Sequence, residues 1–94
     1  MENVFAGRQV YGEGWTVSNR RAFNAEEQGA VLRAEVVSSE YGNSVCFFMR
    51  SGGMTYIPLS KNSSKLPGDS IDLSKAELLT LSRTGERDIV RVEI

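Results

Sequence analysis

Apolar and polar residues alternate with a period of two over much of the chain after Trp15, and turn-forming residues break the alternation into short runs. The first run, Trp15 to Phe23, sets Trp15, Val17 and Phe23 against Thr16, Ser18 and Arg20. It predicts a strand. In Ala30 to Ser39, Leu32, Ala34 and Val36 share one face while Arg33 and Glu35 occupy the other, which predicts a second strand. Tyr41-Gly42-Asn43 is a turn signal, and Ser44 to Arg50 is apolar on both faces, as in a central strand covered on each side or a strand with an exposed aromatic. Period-two geometry then requires one of Phe47 and Phe48 to enter the core and the other to face outward. Ser51-Gly52-Gly53 turns the chain into a returning strand, Met54 to Leu59, whose Pro58 belongs at an edge or a bulge because proline has no N–H for the ladder. These three strands predict a meander.

The intervening segments carry other signals. Asn24 to Gly29 has an N-cap residue, acids in the first turn and a glycine where a C-terminal cap falls, predicting one helical turn between strands. Ser60 to Ser70 is rich in turn formers and has little to bury. It reads as a surface loop closed by a tight Leu66-Pro67-Gly68-Asp69 turn. Ser70 to Leu73 predicts a short strand. Lys75 to Arg83 fits both periods, and strand is favoured from Leu78 onward, because Thr84-Gly85-Glu86 makes a hairpin loop before the clean alternation Ile89 to Ile94. There Val90, Val92 and Ile94 are expected to face inward. Residues 1–14, with Gly7, Gly12 and Gly14, predict a loosely ordered N-terminal segment with at most a short strand, ahead of one β domain over 15–94.

About five or six hairpin-joined strands in so short a chain must protect their edges by closure or cover, so the expected fold is all-β: a small antiparallel barrel or curled sheet, OB-like or SH3-like in architecture, with at most one short helical turn.

Composition narrows the function. Without histidine, serine–histidine and cysteine–histidine catalysis and histidine metal sites are excluded, and no enzyme, metal or cofactor is expected. The one cysteine, Cys46, lies in an apolar run and reads as a buried small hydrophobe. No run suits a membrane span, and Met1 to Phe5 lacks the basic and apolar regions of a secretory signal, so a cytoplasmic protein with no membrane partner is expected. Net charge is −1, which requires any polyanion binding to use a local patch.

Paired carboxylates (Glu26-Glu27, Asp69/Asp72) could do acid–base work but fall in turn-like segments and read as solvated, and Lys61, Asn62, Ser63, Ser64 and Lys65 could grip a phosphate or a partner but read as a solvated loop. The glycine clusters match no phosphate loop and read as turns. Arginine is more informative, outnumbering lysine 8 to 3 and lying on strands beside aromatics. Guanidinium groups grip phosphates and stack on rings, while exposed aromatics stack on bases. A β-surface of Arg20, Arg21, Arg33, Phe48, Arg50 and Tyr56 therefore predicts a non-enzymatic module for single-stranded nucleic acid. The same residues suit a protein-interaction module, an inhibitor or assembly subunit using that patch or an exposed strand edge to bind a protein partner or another copy of the chain. The bland reading puts the aromatics in the core and the arginines on a solvated face.

Overall fold

The computed structural model describes residues 10–40 and 42–94, and its order is β1 (Val10–Gly12), β2 (Trp15–Ala22), α1 (Ala25–Ala30), β3 (Val31–Ser39), β4 (Gly42–Met49), β5 (Met54–Pro58), a 3-10 turn (Leu73–Lys75), β6 (Glu77–Ser82) and β7 (Ile89–Glu93). The protein is all-β, as the alternation predicts. All strand pairs are antiparallel, in one sheet ordered β1-β2-β6-β7 and a second ordered β3-β4-β5. The second sheet is the expected meander. The sheets join where Leu59 forms a parallel bridge to Val92 and the Ser60 N–H donates to the Val92 carbonyl at 2.7 Å, so together they make a curled, partly closed barrel.

Segment 68–71 runs along the outer edge of β3, with the Gly68 N–H donating to Val36 O at 2.8 Å and the Ile71 N–H to Ala34 O at 2.9 Å. It forms an isolated bridge, Glu35 to Ser70, in place of the short strand expected over Ser70 to Leu73. The tight turn before it forms as expected: the Asp69 N–H donates to Leu66 O at 2.9 Å, and Gly68 supplies the φ of +97° that an L side chain resists. Residues 1–9 and Tyr41 lie outside the described residues, and so does most of the loose segment expected over 1–14. Within the described part of it, Val10–Gly12 pairs with β2.

The main core lies between the sheets and includes Phe23, Ala34, Val36, Val45, Phe47, Leu59, Ile71 and Val92. A smaller cluster of Val17, Leu79 and Leu81, flanked by Tyr11, Trp15 and Ile89, covers the opposite face of the four-stranded sheet. Three sequence expectations need correcting. Trp15, Val17 and Phe23 do not share a face: a bulge between Val17 and Asn19 shifts the parity of β2, sending Phe23 to the main core and Val17 to the smaller one. A second bulge, between Val31 and Arg33, leaves Leu32 58% exposed while Ala34 and Val36 stay buried. On β7 only Val92 is buried. Val90 and Ile94, to either side of it, are each 38% exposed.

The helix starts as expected and ends otherwise. Asn24 and Glu27 complete a capping box, but Gly29 lies inside the helix and the C-cap is Val31, already extended. The last carbonyls are instead satisfied by Arg50, whose backbone N–H donates to Ala30 O at 3.0 Å and whose Nε donates to Gly29 O at 2.9 Å.

Candidate nucleic-acid interface

Three of the six candidate residues meet on the outer face of the β3-β4-β5 sheet. Register aligns Arg33 with Phe48 and Met54 in one row, and Glu35 with Cys46 and Tyr56 in the next. Because Phe47 points into the core, its neighbour Phe48 is forced outward, and the Arg33 guanidinium lies 3.9 Å from the centre of the Phe48 ring. Arg33 also pairs with the Glu35 carboxylate at 2.9 Å. Met54 and Tyr56 are each 56% exposed on this face. Cys46 is buried opposite Tyr56, and a hydrogen bond with its thiol, before any other cause, raises the Tyr56 phenol above its ordinary pKa, keeping it neutral.

The other three serve local structure. The bulge in β2 turns Arg20 toward Glu77 and Glu93, which face each other across β6 and β7, and its guanidinium bridges both carboxylates. Hydrogen bonds to Glu77 and then Glu93 raise its pKa. Arg21 makes a two-pronged contact with Glu27 at 2.8 and 2.9 Å. Arg50 caps the helix. The structure thus divides the six-residue surface into an outer-face cluster of Arg33, Phe48 and Tyr56, and three arginines placed elsewhere.

Three of the four paired carboxylates, Glu27, Asp69 and Asp72, serve the backbone. Asp69 accepts the Leu66 N–H at 2.9 Å and Asp72 accepts the Ser74 N–H at 3.0 Å. Glu27, held by Arg21 first and the Asn24 N–H second, has its pKa lowered to about 2. A carboxyl depressed in the folded state stabilises above its unfolded pKa and loses that contribution as pH falls through the folded one. Glu27→Gln is therefore expected to flatten the decline of melting temperature between about pH 4.5 and 2 while leaving the neutral-pH fold intact. A pH–melting curve for the two proteins checks this, and identical slopes would remove Glu27 from the acid response.

The edge of β5 is a separate feature. Hydrogen bonds from Met49 N to Gly53 O and from Leu59 N to Asn43 O fix the phase of the β4–β5 ladder, so the backbone N–H and C=O groups of Met54 and Tyr56 point away from β4. Among the described residues that edge is paired only at Leu59, and Pro58 removes the next donor.

Lys61 and Lys65, weighed from sequence as a phosphate grip and read as a solvated loop, line a polar cleft of about 450 Å³ with Arg91 where the 60–65 loop meets β7. The two lysines read as ordinary loop residues, and nothing in the sequence brings Arg91 to them.

Protein-family models, curated proteins and solved structures offer no match to this chain.

Proposed function

We propose that the protein is a non-enzymatic module that binds single-stranded nucleic acid on the outer face of the β3-β4-β5 sheet. The observation that carries this reading is the Arg33 guanidinium stacked 3.9 Å from the Phe48 ring, with Tyr56 exposed in the adjacent row. Bases would stack on the two aromatics, and Arg33 would take a phosphate or lie against a base. Such a face tolerates a net charge of −1, because stacking carries much of the binding and needs only local positive charge.

Glu35 is the competitor built into the site, since it holds the Arg33 charge at 2.9 Å. Glu35→Gln is expected to tighten binding of a short mixed-sequence oligonucleotide about two- to fivefold, the size of one exposed ion pair. Titration of both proteins at low salt tests the reading. Weaker binding by the variant, or no binding by either protein, would overturn it.

The stretch of β5 edge at Met54 and Tyr56, whose backbone groups point away from β4, favours a second reading, a protein-interaction module that accepts a partner's strand there. Backbone amide shifts confined to β5 on adding a protein partner, with none on adding oligonucleotide, would support it over the first.

A further inference from the structure

We propose that the cleft between the 60–65 loop and β7 is a binding site for a phosphate-class oxyanion, distinct from the stacking face and independent of it. Arg20 pairs with Glu77 and Glu93, Arg21 with Glu27, Arg33 with Glu35 and Arg83 with Glu86. Lys61, Lys65 and Arg91 have no ion pair among the described residues, yet all three line this one cleft. Glu13 is the one carboxylate in the lining among those residues, leaving two positive charges in excess. Like charges gathered in a concavity repel, and a dianion with several acceptor oxygens relieves that repulsion.

The cleft is also organised. The Lys61 N–H donates to the Tyr11 hydroxyl at 2.9 Å, and its ammonium lies 4.9 Å from the Tyr11 ring centre. The chain at Gly12, with φ of +134°, gives it room, since a Cβ there would collide with Lys61 Nζ. Arg91 spends one Nη1 bond on the Val90 carbonyl at 3.0 Å and keeps the rest of its donor fork. The Ser63 hydroxyl, which accepts the Lys65 N–H at 3.3 Å, can donate its own proton to an oxyanion. The volume of about 450 Å³ exceeds what phosphate alone needs and is in the range of pockets that hold small molecules of nucleotide size.

The test is titration of the whole chain with inorganic phosphate, a nucleoside monophosphate and a short oligonucleotide, in a low-salt buffer free of phosphate, read by amide chemical shifts. Saturable shifts of Lys61, Ser63, Lys65 and Arg91 are expected with phosphate, and chloride at equal ionic strength should not reproduce them. Lys65→Ala and Arg91→Ala should each weaken phosphate binding roughly tenfold, with Arg91→Lys intermediate because it keeps the charge and loses the fork. Equal affinity for phosphate and the monophosphate would assign the free anion as ligand, and a tighter monophosphate would assign a nucleotide. Oligonucleotide binding weakened by the cleft variants but untouched by Phe48→Ala and Tyr56→Ala would support the cleft while overturning the stacking face. Shifts that do not saturate, or that persist unchanged in both alanine variants, would overturn the proposal.

Discussion

Val92→Asp is expected to cost about 3–5 kcal/mol of folding stability, the range for an uncompensated charge placed in a core. Val92 is fully buried, lies opposite Leu78, and bridges to Leu59 at the junction of the two sheets. The residues of the cluster around it are apolar, so an introduced carboxylate would have no cation to meet. Val90→Asp, two residues away and 38% exposed, should cost about 0.5 kcal/mol or less. Denaturant midpoints for the two variants check the pair of values. Similar losses at both positions would show that β7 does not present Val92 alone to the core.

That contrast shows how far the sequence carried the fold. Strand identity and pairing were legible wherever alternation was bounded by turns, as in Ser44 to Leu59, where Gly52, Gly53 and Pro58 set the ends of β4 and β5. Facing was legible only between irregularities. The bulges at Val17/Asn19 and Val31/Arg33 insert a residue without any distinctive residue type, so they reverse the side of Phe23 and expose Leu32 silently. The helix end was misread because glycine is only one way to satisfy terminal carbonyls, and here Arg50 does so from the turn after β4. The smaller cluster was illegible for a related reason: β6 packs half-buried Leu78 against the main core on one side and buries Leu79 and Leu81 on the other, which is why helix and strand periods competed there.

Which of the candidate residues share a face was legible only in part. Parity alone required Phe47 and Phe48 to part, and the register then put Arg33 and Tyr56 beside the outward ring. Arg20 and Arg21 could not be separated from that surface by sequence, because their carboxylates come from other elements, Glu77 and Glu93 in one case and Glu27 in the other. Long-range pairing decides which arginines remain available.

The stacking face makes the other large prediction. Phe48→Ala and Tyr56→Ala should each weaken oligonucleotide binding by about 1–3 kcal/mol, the value of one lost base–aromatic stack. Tyr56, the more exposed of the two, is the safer test of binding, whereas Phe48 also packs beneath Arg33 and its variant needs a melting curve beside it. If Arg33 takes a phosphate as proposed, Arg33→Ala should reduce the slope of log affinity against log salt by about 0.7, the share of one neutralised phosphate on a single strand. Arg20→Ala and Arg21→Ala, away from this face, should leave that slope unchanged.

Fluorescence anisotropy of a labelled single-stranded oligonucleotide across a salt series, with the wild type, Arg33→Ala and Tyr56→Ala, tests the account most directly. The expected result is wild-type affinity that falls modestly with salt, with a log–log slope of about −0.7 and little preference among sequences, a nearly flat slope for Arg33→Ala, and a uniform loss for Tyr56→Ala. Absence of wild-type binding at low salt, or binding that both variants leave untouched, would contradict it.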